Sequence, residues 1–134
     1  MAQQSLLTIK WKNTTAEEVR NLLANGAKAN AYNEDGWTPL MMACNEGASL
    51  GVIKALVLDG KACVNAANPN NGITALMISC RSRSSSVVRF LLNQNADDTA
   101  VDRWCWTPMM YARHQNNKHN IQCLRKYAHE HQRG

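Results

Sequence analysis

Apolar positions along this chain come in paired clusters that recur. Thr38-Pro39-Leu40-Met41-Met42-Ala43, Thr74-Ala75-Leu76-Met77-Ile78-Ser79 and Thr107-Pro108-Met109-Met110-Tyr111-Ala112 align without gaps, and their first residues lie 36 and 33 positions apart. About thirteen residues later a second apolar group follows each: Val52-Ile53-Lys54-Ala55-Leu56, Val87-Val88-Arg89-Phe90-Leu91-Leu92 and Ile121-Gln122-Cys123-Leu124. Clusters with helical spacing predict two helices per unit, and a fixed period of this length predicts stacked repeats in place of a single globular core.

The polar residues between the clusters supply the punctuation. Each unit opens on a turn-rich stretch: Asn33-Glu34-Asp35-Gly36, Pro69-Asn70-Asn71-Gly72 and Asp102-Arg103-Trp104-Cys105. Thr followed by Pro then marks a helix start, with the hydroxyl capping free N–H groups and Pro at the first helical position, where a missing donor does no harm. Gly60 and Asn95 follow two of the second helices, where a left-handed residue commonly ends a helix. Each unit is therefore expected to run turn, helix, helix, left-handed stop.

These residues resemble the ankyrin-repeat family, whose signature runs Asp-x-x-Gly-x-Thr-Pro-Leu-His-x-Ala, then a Val-Val-x-Leu-Leu helix, then Gly-Ala-Asp-Val-Asn-Ala. Counting back 33 from Thr38 reaches Ser5, and Ser5-Leu6-Leu7-Thr8-Ile9, Val19 to Leu23 and Gly26-Ala27-Lys28-Ala29-Asn30-Ala31 supply a degenerate first repeat. The resemblance implies an all-α repeat solenoid of ankyrin-type stacked helix-turn-helix pairs with connecting β-hairpin loops. Residues 1–134 form one such domain, with repeats at about 1–32, 33–68, 69–101 and 102–134, the first and last being degenerate caps. First helices are expected near Ser5, Thr38, Thr74 and Thr107.

Departures from the signature sharpen the expectations. Met41, Met77 and Met110 replace the His that links neighbouring repeats in the family, and Met fills space without making that bond. Cys105 stands at the hairpin Gly position and Arg83 at the inter-helix Gly position, so strained or altered bends are expected there. Repeat two carries three extra residues, placed within Ala48 to Gly51, Gly60 to Ala62 and Asn68 to Asn71.

In the family, partners dock on a concave face of hairpin tips and first helices. The resemblance carries that role to the tip residues Glu34, Asp35 and Trp37, Asn70, Asn71 and Ile73, and Arg103, Trp104 and Trp106. It also carries it to the exposed first-helix ends Asn45, Glu46, Arg81, Ser82, His114 and Gln115. Trp37, Ile73 and Trp106 share one register position and are expected to form an exposed row beside Trp104, of the residue types enriched at interface hot spots. The tips run from acidic (Glu34, Asp35, Glu46) to basic (Arg81, Arg83, Arg103), which would orient a partner of opposite polarity.

Charge and composition add limits. The net charge of +5 lies wholly in residues 79–134, with nine basic and four acidic side chains against six and six before them. That imbalance keeps an electrostatic binder of nucleic acid or anionic lipid as an alternative, although the absence of a dense Lys/Arg run counts against nucleic acid. A recognition module of a longer enzyme is a further alternative. No Gly-rich phosphate loop, paired carboxylates or nucleophile elbow is present, so no catalytic residue, cofactor or metal is expected.

Cys105, His114, His119 and Cys123 match no compact zinc spacing. Five cysteines, an odd number at irregular spacing, suit buried small hydrophobes better than a disulfide framework, with Cys44 and Cys80 at a small, buried position of the first helix. Residues 1–12 lack the features of a secretory signal and no apolar run reaches the ~18 residues of a membrane span, so the cytosol or nucleus is expected. Within Arg81 to Ser86, Ser84 and Ser86 each follow an Arg by three positions, a phosphorylation pattern. The preferred reading is a polar inter-helix loop with Ser86 or a neighbour as cap. Asn13-Thr14-Thr15 matches a glycosylation sequon, but helix capping by Thr14 or Thr15 ahead of Glu17 and Glu18 is the preferred reading, and the protein is expected to be monomeric on its own.

Overall fold

The computed structural model describes residues 5–82 and 84–131. Arg83, read above as a bend residue and as part of the basic tips, lies outside the described residues.

Among the described residues there are seven α-helices: α1 (Ala16–Ala24), α2 (Pro39–Asn45), α3 (Leu50–Lys54), α4 (Ala75–Arg81), α5 (Ser85–Asn93), α6 (Pro108–His114) and α7 (Lys118–Glu130). A π-helical segment, Ala55–Asp59, continues α3. First helices α2, α4 and α6 pack side by side, and second helices α1, α3 with its π extension, α5 and α7 form the other layer. The core between the layers is Leu40, Leu56, Leu76, Val88, Leu91 and their neighbours, all buried. A stack of repeats buries in this way the apolar faces that no single unit can cover alone.

The capping threonines act as expected. Thr38, Thr74 and Thr107 each accept the backbone N–H three residues on, from Met41, Met77 and Met110. Thr15 caps α1 by accepting from Glu18 at 3.2 Å. The serine loop differs from expectation: Ser84 takes the N-cap place of α5 without any side-chain cap bond, while the Ser82 hydroxyl accepts the Ser84 N–H at 3.4 Å.

Residues 6–9 form a turn, so the helix expected near Ser5 does not form. Trp11 stands at the register of Cys44 and Cys80, a place sized for a small side chain, and it is wholly buried. Turning this large ring inward is incompatible with a regular helix there, and β-branched Thr8 and Ile9 further weaken helix formation. The chain instead buries Leu6, Ile9 and Trp11 and passes through a 3-10 turn at Trp11–Asn13.

The three extra residues of repeat two distribute one to each joint: one before the α3 cap Ser49, one in the π segment, and one in the next turn. The first and last fall where expected; the middle one lies inside the helix and not at Gly60 to Ala62. Because of it the left-handed stop moves from Gly60, at φ −85°, to Lys61, at φ 55°. Gly60 is needed for a different reason, since a Cβ there would lie 2.7 Å from the Leu56 carbonyl and 3.0 Å from Ala29 Cβ. Asn95, at φ 68°, is the left-handed stop as expected.

The third difference is at Asn68. Pro69 holds the register place of Asn33 and Asp102, whose N–H groups close their turns on the Trp37 and Trp106 carbonyls at 2.8 and 3.1 Å. Proline has no such donor. The preceding Asn68 closes the turn on Ile73 at 2.9 Å, which makes it one residue longer. Among the described residues the hairpins are tight turns with one isolated bridge, Ala67 to Thr74.

Candidate functional site

The turns are tied into a row. Asn33 Oδ1 accepts the N–H groups of Asp35 and Trp37, both at 2.9 Å, and Asp102 Oδ1 does the same for Trp104 and Trp106 at 2.9 and 3.0 Å. Between turns, the side-chain amides of Asn68 and Asn70 donate to the Asp35 carbonyl at 3.1 Å, and the Arg103 N–H donates to Asn71 O at 2.8 Å. Farther along, Asn30 and Asn65 bridge to the next repeat: Asn30 Oδ1 accepts from Cys63 at 2.7 Å and Asn65 Oδ1 accepts from Asp97 at 2.7 Å. These amides supply inter-repeat bonds that the methionines at the His position cannot make.

Three register rows run along the turns and first helices. At the tips stand Trp37, Ile73 and Trp106; on the first helices come Met42, Ile78 and Tyr111; at the helix ends come Asn45, Arg81 and His114. The first row is not the freely exposed aromatic strip expected from sequence. Trp37 and Ile73 are half-buried and pack against the core, and Trp106 is half-buried against Tyr111 and His114, with ring centroids 5.0 and 5.4 Å away. A residue just before the capping Thr leans onto the first helix, so its ring is shared between core and surface. Trp104 alone among the four is well exposed, at 56%, with the Arg103 guanidinium 5.3 Å over its ring.

The other candidates are placed as follows. Glu34, Asp35, Asn45, Glu46, Asn70, Arg81, Arg103, His114 and Gln115 are exposed, while Asn71 and Ser82 are half-buried. Arg81 ends α4 and donates to Asn45 Oδ1 at 3.4 Å, and Ser82 donates back to Ser79 O at 2.8 Å. Acidic side chains gather in residues 33–68 and basic ones in residues 69–131.

Sequence reasoning missed Tyr111 and Asp102. The Tyr111 hydroxyl donates to buried Asp102 through a short hydrogen bond, so Asp102 fastens the turn and the helix together. Burial first, and the Asp102 carboxylate second, push the Tyr111 hydroxyl up to about 12, against a smaller opposing pull from Arg81. The register place four residues after the capping Thr was the available signal.

Cysteine placement separates the thiols. Cys44 and Cys80 are buried, Cys63 and Cys105 are exposed, Cys123 is half-buried, and all five are free. Burial raises Cys44 to about 11 and Cys80 to about 12, with a Ser79 hydrogen bond partly opposing the first and Cys123 adding to the second. Cys105 reaches its turn at φ 63°, the left-handed region that Gly36 and Gly72 occupy at 84° and 76°. Among the described residues no group of three or more His, Cys, Asp or Glu side chains is arranged to hold a metal ion. Among them also, no helix is long and apolar enough to cross a membrane.

Comparison with known proteins gives one consistent family. The family model described as ankyrin repeats (3 copies) matches residues 7–102. The ankyrin repeat, SAM and basic leucine zipper domain-containing protein 1 of Notamacropus eugenii is 34% identical over 99 residues, covering 70% of this chain and 20% of that protein. The ankyrin repeat and KH domain-containing protein mask-1 of Caenorhabditis elegans is 37% identical over 86 residues, 63% of this chain and 3% of that protein. The human transient receptor potential cation channel subfamily A member 1 is 29% identical over 115 residues, 86% of this chain and 10% of that protein. The chain thus spans a fifth or less of the length of these relatives.

Proposed function

The chain belongs to the ankyrin-repeat family, whose repeats are in general protein-binding modules, and on that premise we propose that it binds a partner protein on a concave face of turn tips and first helices. The observation that carries this reading is the tip of the fourth repeat. Trp104 stands out of the core with Arg103 on its ring, beside the half-buried set Trp106, Tyr111 and His114. Trp, Tyr and Arg are the side chains most enriched at interface hot spots, and one exposed Trp next to a rigid aromatic group offers a desolvatable anchor. The basic surface around it and the acidic surface of Glu34, Asp35 and Glu46 fix the direction in which a bound segment runs.

The module acts as a non-catalytic adaptor or scaffold, as a monomer engaging a protein or peptide, in the cytosol or nucleus where five free thiols stay reduced. The test is capture of partners from lysate with the wild-type chain beside Trp104→Ala and Trp106→Ala, each at two ionic strengths. Partners retained by the wild type and lost by both variants at unchanged thermal midpoint support the reading. Partners retained equally by all three would remove it. Binding that collapses with salt yet ignores both substitutions would instead favour contact through the basic half alone.

A further inference from the structure

The second-helix layer carries an unfilled place that its own neighbours define. Six residues after the cap of α5, Phe90 faces the preceding second helix, and the same register place in α7 is Cys123. Phe90 is buried, and Lys54, on the helix before it, lies over the ring with its Nζ 5.8 Å from the centroid. Arg89 stands in the same register on α5 as Lys54 does on α3, so it is the cation that would cover a ring at position 123. Cysteine is too small to provide one. In its place is a cavity of about 540 Å³ between α5 and α7, floored by Leu92, Cys123 and Tyr127. Arg89 and Lys126 line it beside His119 and the single carboxylate of Glu130.

We propose that this outer groove is a second docking site, which receives an aromatic side chain carried on an acidic segment of a partner protein. The ring restores under Arg89 the arrangement that Phe90 makes under Lys54, and flanking carboxylates meet Lys126 and Arg89. Both halves of the ligand follow from the site: the aromatic from the vacated register position, the acid from the excess of cations around it. The groove lies in the layer opposite the turn tips, so occupancy of one face does not exclude the other.

A labelled peptide, Asp-Glu-Phe-Glu-Asp, titrated into the full chain and read by fluorescence anisotropy tests this. Saturable binding is expected to weaken at least about tenfold when Ala replaces the peptide Phe, and likewise in Cys123→Phe, where the protein fills its own groove. Arg89→Glu, an exposed change that keeps the core intact, should do the same and carries the test if Cys123→Phe folds poorly. Bound peptide should slow alkylation of Cys123 by iodoacetamide and leave Cys63 and Cys105, exposed elsewhere, unaffected. Trp104→Ala should bind the peptide normally, which separates this site from the turn-tip face. No saturable binding to the wild type, equal binding of the Ala peptide, or unprotected Cys123 would each overturn the proposal. So would an oligonucleotide or an anionic vesicle binding through the same cations while the Phe and Ala peptides behave alike.

Discussion

Met41 and Met110 occupy the same place in their repeats, three residues after the capping threonine, yet Met41 is 1% exposed and Met110 is 42% exposed. The contrast extends across the two repeats. Leu40 is buried and its counterpart Met109 is half-buried; Cys44 and Cys80 are buried, and Arg113 at the same position is exposed. On the second helix, buried Leu92 becomes exposed Arg125. Residues 33–68 are covered on both sides, whereas in residues 102–131 the outward register places carry polar side chains such as Arg113 and Arg125. Neighbours, more than the motif, decide whether a register position is core or surface.

The contrast breaks first in stability. Met41→Ala should cost about 2–5 kcal/mol, the range for a buried large side chain, while Met110→Ala should stay within about 0.5 kcal/mol. Urea midpoints for the two variants check this, and similar losses would mean that repeat four is as covered as repeat two.

Alkaline pH gives the next largest effect. Cys44 and Cys80 have folded values raised to about 11 and 12 from 9.0, so the stability they contribute is full below pH 9 and is lost as pH rises through 11 to 12. By linkage the loss is on the order of a few kcal/mol per thiol, larger for Cys80 than for Cys44. Cys44→Ala with Cys80→Ala should flatten the stability profile above pH 9, leaving the Tyr111 contribution to fall away between 10 and 12. A profile as steep as wild type would contradict the burial of these thiols.

How much of this was legible in the sequence follows the same division. Capping threonines, the period and the buried Cys44 and Cys80 were readable because they depend on local chemistry and on a register shared by interior repeats. Three things were not. The loss of the first helix depended on the bulk of Trp11 at a position known to be small only once the stack is seen. The π segment depended on where the fold absorbed one extra residue. The half-burial of Trp37 and Trp106 depended on how each tip leans on its own helix. Within the candidate site, Trp104 was read correctly as projecting, and the Asp102 to Tyr111 bond went unread because it joins a turn to a helix nine residues away.

A smaller effect sharpens the comparison at the turns. Gly36 suits its left-handed turn, while Cys105 holds the same conformation with a side chain, so Cys105→Gly should raise stability by about 0.5–1 kcal/mol. Gly36→Ala should lower it, because a Cβ there would meet the Asn68 side chain and Pro69 Cδ at 3.1 Å. Thermal midpoints decide both. Smallest of all, Asp59→Asn removes a 3.2 Å ion pair with Arg20 that is more than half exposed, and should change stability by less than about 0.5 kcal/mol.

The central claim concerns which face meets the partner, and site-specific photo-crosslinking reads that face directly. A photoreactive residue is placed at Asn45 or Arg103 on the turn-tip and first-helix side, or at Arg20 on the second-helix side, and each variant is irradiated in lysate. The account predicts that Asn45 and Arg103 crosslink to a common protein that Arg20 does not capture, and that Trp104→Ala abolishes the adduct. Adducts to that protein from Arg20 alone, or equally from all three positions, would contradict it.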